Sequence, residues 1–377
     1  MMPSLCARNE GRHWLRYSAA LPMLSLAVLC GCPVAPPVTP GDGNSPTTPA
    51  DNNSLATASA LNFDSSGLTQ VTSSVTSDSD IDVYNLGTVS PGDRIVADVQ
   101  ATSGNLDAVA AVFQSNEDLV DFNDDRTPDG SNLNPLIDFV VRGRQDTYYL
   151  GIIGYPGGNT TGNYQATIRI TRKVGVPPPE GQIVFLDWRG GSNVTVPNVG
   201  TFNLPAFNAT QVGLASSQTQ ALKDRIQQIV KDRYSGFNMT VLSSDHDAEP
   251  GPAHSTVYFG GESLQAFAIS EEIDSYNQNP SDKSIVFVNG FRGAFSHTPS
   301  FEEMAQAIGN TVAHEVGHLL GLVHTADCAD MMDTTCSNDR ILTPQNFSTA
   351  PLDGSVFPFG FQPEVDLLTW VLGQVGS

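Results

Sequence analysis

His314-Glu315-Val316-Gly317-His318-Leu319-Leu320-Gly321-Leu322-Val323-His324 is the stretch on which the reading of this chain turns. His314 and His318 are four apart, so on a helix they stand one turn above the other on one face and can chelate a single ion together. Glu315, one step round the helix from the first of them, can reach a water held on that ion. Gly321 falls where the helix has to stop. A residue free to adopt a left-handed conformation there lets the chain turn back and bring His324 to a third coordination position. Three neutral imidazoles leave one tetrahedral corner open, the arrangement of a catalytic rather than a structural zinc. The competing reading is ordinary core and surface histidines. Only seven His occur in 377 residues, however, and three of them fall in this window with Glu and Gly at the required places.

Upstream, Ser300 stands three before Glu303, the reciprocal capping pattern of a helix start. Met304, Ile308, Thr311/Val312, Glu315 and Leu319 then recur at helical spacing, which predicts one helix from about 301 to 320. One face should carry Val312, Leu319 and Leu320 to the core, and the other should offer the histidines to a cleft.

The extended pattern H-E-x-x-H-x-x-G-x-x-H resembles the metzincin clan of zinc endopeptidases. That resemblance implies a methionine in a tight turn beneath the metal. Met331 and Met332 follow His324 at a fitting distance, and Met332 is the better match because an apolar residue precedes it; plain core packing of a Met pair is the alternative. It also implies zinc-dependent hydrolysis of protein or peptide substrates, with Glu315 as general base. Asp333 after the Met pair and Thr325 after the last His match no subfamily marker, so the resemblance reaches the clan and stops there. Two other classes compete: a surface-anchored binding lipoprotein on a protease scaffold, and a zinc hydrolase of non-protein substrate.

Length permits two domains. The formal charge of −22, from 40 Asp+Glu against 18 Lys+Arg, argues against a nucleic-acid partner. A monomer is expected. Residues 1–31 read as a signal peptide, with Arg8, Arg12 and Arg16 preceding a short apolar run from Leu21 to Leu29. Leu29-Cys30-Gly31-Cys32 looks like a bacterial lipobox, making Cys32 the candidate lipidated N-terminus of a cell-envelope protein; ordinary cleavage and secretion is the alternative. Residues 32–53, rich in Pro, Thr, Gly and Ser, read as a flexible tether. Export agrees with the remaining cysteines, Cys328 and Cys336, which flank the Met pair and should form a disulfide in an oxidising compartment.

Residues 54–174 alternate short β-branched and aromatic runs (Asp82–Tyr84, Arg94–Val99, Ala108–Phe113, Tyr148–Ile152, Tyr164–Ile170) with Gly/Asn/Asp/Pro turns, an antiparallel β-sandwich pattern. The succession Asp80–Tyr84, Pro91-Gly92-Asp93, Asn123-Asp124-Asp125 and Gly162-Asn163-Tyr164 resembles the bacterial pre-peptidase C-terminal domain, an accessory module of secreted peptidases. Asn123, Asp124, Asp125 and Asp129 could collect oxygen ligands for calcium; an exposed acidic turn is the favoured reading. A Pro-rich linker, 175–181, precedes a domain at 182–377 in which strands at Ile183–Leu186, 237–242, 256–259 and 284–288 accompany helices at 218–234 and from Pro363. That order suits an α+β metzincin-like domain, a twisted mixed sheet backed by two helices with the zinc-binding helix along its cleft. His246, Asp247 and His254 read as a surface loop, with a second metal site as the less favoured alternative.

Overall fold

The computed structural model describes residues 52–263 and 266–376. The expected signal peptide, Cys32 and all of the tether except its last two residues lie outside them. Strands of the first part are β1 (Ser59–Ala60), β2 (Leu68–Val75), β3 (Ile81–Val89), β4 (Arg94–Ala101), β5 (Ala108–Gln114), β6 (Leu119–Asn123), β7 (Leu136–Val140), β8 (Asp146–Gly154) and β9 (Gly162–Thr171). In β4, Ile95, Ala97 and Val99 are fully buried while their neighbours are not, so period-two alternation gives the strand one apolar face. Two sheets, ordered β1-β3-β8-β5-β6 and β2-β9-β4-β7, close such faces on each other. The five anticipated strands fall within β3, β4, β5, β8 and β9. β2 escapes the sequence reading because Thr and Ser blur its alternation, yet it pairs with β9 along its whole length.

β5 is buried at every residue. Its outward face meets the second part of the chain instead of water: Val109, Ala111 and Phe113 join Val323, Leu352, Val356 and Phe357 in one apolar cluster. Polar links reinforce the junction. The Tyr276 hydroxyl donates to the Val120 carbonyl at 2.9 Å, and the Tyr276 ring stacks on Phe139. Residues 174–181 carry no regular secondary structure. They are tied at both ends, Gly175 N–H to the Gly92 carbonyl and Glu180 N–H to the Val371 carbonyl.

The second part contains β10 (Gln182–Asp187), β11 (Gly191–Val196), β12 (Gly200–Leu204), α1 (Thr219–Arg233), β13 (Met239–Ser243), β14 (Ser255–Phe259), β15 (Ala268–Ser270), β16 (Lys283–Val286), α2 (Phe301–His318), β17 (Thr349–Pro351), β18 (Phe361–Pro363) and α3 (Glu364–Leu372). The order β13-β10-β14-β16-β15 is parallel except for β15, which runs antiparallel to β16 at the sheet edge. The chain is thus a β-sandwich followed by an α/β part with a mixed sheet. α1 turns Leu222, Ile226, Ile229 and Val230 to the core it shares with α2. A Cβ on Gly309 would lie 2.6 Å from Ile229, so that glycine sets how closely the helices approach.

Ser300 and Glu303 cap α2 reciprocally. The helix ends at His318, two residues before the expected limit. The face expected to offer the histidines to a cleft is covered as well, since every residue from Met304 to His318 is buried. α1 and the sheet cover one side, and the segment after His324 covers the other. Asn310 donates to the carbonyls of Ile341 and Thr343, and Thr311 to that of Ala307, so polar residues that would suit a solvated face are satisfied inside.

Candidate metal centre

His314 and His318 leave the last turn of α2, and His324 returns to them after Gly321. Gly321 has φ +92, and a Cβ there would stand 2.7 Å from Ser275 Cα, so both backbone and space demand glycine. The three histidines are buried, and their ligand atoms all lie within 4.8 Å of one another. His314 Nδ1 donates to the Met331 carbonyl at 2.9 Å and His318 Nδ1 to the Leu322 carbonyl at 2.8 Å. These bonds fix the tautomer and aim both Nε2 lone pairs inward. His314 Nε2 is buried without a hydrogen-bond partner, and His318 Nε2 sits 3.1 Å from His324 Nε2. Three converging imidazole nitrogens, one of them an orphan, fit a tetrahedral zinc. Burial holds the pKa of His314 below the usual histidine range and that of His318 well below it, where the charge of its two neighbours adds to the effect. Neutral imidazole is the form a metal requires.

Glu315 is fully buried beside the ligands, and its Oε2 accepts from Ser270 Oγ at 2.7 Å. Ser270 lies on the edge strand β15, and no local signal marks it. Beneath the centre, Met331 and Met332 are both fully buried. Met331 supplies the carbonyl that orients His314. Met332 lies under the helix, where a Cβ on Gly317 would be 2.7 Å from its Sδ. Asp330 builds this turn: its Oδ1 accepts from Thr325 Oγ1 at 2.7 Å and from Met332 N–H at 3.0 Å, and its Oδ2 from Ser348 Oγ. Thr325, which matches no subfamily marker, therefore ties the residue after the last ligand to the methionine turn.

Cys328 and Cys336 are disulfide-bonded across that turn, with Cα atoms 5.5 Å apart. Closing so short a loop contributes about 2 kcal/mol in the chain-entropy picture. Replacing both by Ser should lower thermal stability and zinc retention together, because the turn holds the carbonyl that orients His314. Unchanged zinc retention in the double variant would separate the staple from the site.

The other candidates are not assembled into cages. Asn123 Nδ2 donates to the Asp125 carbonyl and its Oδ1 accepts from Leu136 N–H, while the Asp129 carboxylate caps its own turn through Ser131. Asn123, Asp124 and Asp125 line one cavity without Asp129, and among the described residues their carboxylates form no group close enough to share an ion. His246 pairs with Asp224, Asp247 accepts from Ser243 N–H, and His254 bonds the Gly251 carbonyl, so these three go to separate partners.

No family model matches the chain, and no curated protein matches it. Among solved structures, the chain is similar to a periplasmic inhibitor of g-type lysozyme from Aeromonas hydrophila (12% identity, 30% of this chain and 96% of that one, TM-score 0.25). It is similar to the pre-peptidase C-terminal domain of a Bacillus anthracis collagenase (16% identity, 30% and 94%, TM-score 0.23). A third likeness is to archaemetzincin from Methanopyrus kandleri (12% identity, 45% and 89%, TM-score 0.26). At such values these likenesses say nothing about activity.

Proposed function

We propose that this chain is a zinc-dependent endopeptidase of the metzincin type, exported and anchored to a bacterial cell envelope through a lipid on Cys32. The convergence of His314, His318 and His324 beside a Glu315 held by Ser270 carries this reading. Zinc, when bound, supplies a Lewis acid for the scissile carbonyl and lowers the pKa of a water to about 7. Glu315 takes the proton from the attacking water and returns it to the leaving amine. Ser270 fixes the orientation of that carboxylate. β15 ends its sheet next to Glu315, and the backbone groups along a sheet edge suit an extended peptide. Protein or peptide substrates therefore fit better than a compact small molecule, and the acidic charge of −22 disfavours nucleic acid.

Incubating the full chain with an unstructured protein, with and without a chelator, tests the reading. Cleavage that the chelator stops and zinc restores supports it. A zinc-loaded chain that cleaves no protein would favour a binding lipoprotein or a hydrolase of other substrates. For the anchor, the wild type should incorporate a labelled lipid precursor and Cys32→Ser should not. Equal labelling of both would remove the lipid from the account.

A further inference from the structure

His324 sits in a stretch with no secondary structure of its own, residues 322–324. Its position must come from what holds that stretch. The Val323 side chain is fully buried in the apolar cluster shared with Val109, Ala111 and Phe113 of the sandwich. The Val323 backbone is held at both polar groups by one side chain. Its N–H donates to Gln362 Oε1 at 2.7 Å, and its carbonyl accepts from Gln362 Nε2 at 2.8 Å. Gln362 is fully buried on β18, and its neighbour Phe361 donates its N–H to the Glu117 carbonyl of the sandwich at 3.0 Å. The backbone after Val323 is held in turn: the His324 carbonyl accepts from Asp353 N–H and Thr325 N–H donates to the Met332 carbonyl, each at 3.0 Å.

We infer that Gln362 is a positioning residue for His324, so that the C-terminal hairpin and, through Phe361, the N-terminal sandwich set the third corner of the metal centre. This rests on the zinc reading above. A side chain here makes a rung that strand pairing makes elsewhere, one residue from a ligand. Without it a buried N–H and a buried carbonyl lose their partners, and the stretch is free to move to recover them.

Zinc affinity of the full chain, measured by competition with a chelating indicator, tests the inference in four proteins: wild type, Gln362→Met, His324→Ala and the double variant. Gln362→Met should weaken zinc binding about 10- to 100-fold, the usual cost of losing a residue that orients a ligand. In the His324→Ala background, titrated at the higher zinc concentrations that the two remaining ligands require, the same change should have almost no effect. Gln362→Glu keeps the volume and the oxygen that accepts from Val323 and loses the two bonds that Nε2 donates, to the Val323 carbonyl and to Glu364 Oε1 at 3.1 Å. It should fall between wild type and Gln362→Met, and it carries the test should the Met variant fail to fold. Wild type that binds no zinc overturns the zinc reading itself. Wild type that binds zinc, with Gln362 variants equal to it or equally impaired when His324 is absent, overturns the positioning role alone.

Discussion

Glu315→Gln should leave zinc in place and cut peptide hydrolysis about 10³-fold, within the 10²–10⁴ that a positioned general base contributes. The amide keeps the size of the carboxylate and can still accept from Ser270, so the packing around the buried side chain is preserved. The variant cannot take a proton from the attacking water. Zinc content and turnover measured on the same preparation give the answer. Full activity would remove Glu315 from its role, and loss of zinc together with activity would make it a structural residue.

The second large effect concerns stability. Asp282, at the start of β16, is 1% exposed, and neither carboxylate oxygen makes a well-formed hydrogen bond. Burial pushes its pKa up to about 8, against the pull of the Ser255 hydroxyl and with help from the charges of Asp274, Glu272 and Glu271. The folded chain therefore keeps this proton through a range in which the unfolded chain, ionising near pH 4, has lost it. Unfolding releases a proton between those limits, so stability falls as pH rises, by up to about 1.4 kcal/mol per unit. Asp282→Asn is neutral throughout. Its stability relative to wild type should improve by about 3 kcal/mol between pH 5 and pH 7. Urea unfolding of both proteins at the two pH values measures that difference. A difference that does not change with pH would mean that Asp282 is ionised in the fold.

What sequence could show here was whatever local spacing encodes. His314, Glu315 and His318 lie within five residues, Gly321 marks a chain reversal, and Ser300 with Glu303 marks a helix start; each follows from helical geometry alone. The strands with clean alternation were legible for the same reason. Ser270 acts on a residue 45 positions away and Gln362 on one 39 away, so neither leaves a local trace. Thr325 was visible as a departure from family markers, but its partner Asp330 is identified only once the turn is folded. The all-round burial of α2 was not legible, because the groups that satisfy Asn310 come from more than 30 residues downstream. Likewise, the outward face of β5 is apolar because another domain part covers it, and a strand's own sequence does not name its neighbour.

Metal analysis of the purified chain tests the central claim most directly. The account requires one zinc per molecule in the wild type, lost when any of His314, His318 or His324 is replaced by Ala and retained when His246 or His254 is. A wild type that holds no zinc, or one that keeps a full equivalent after His318→Ala, would contradict it.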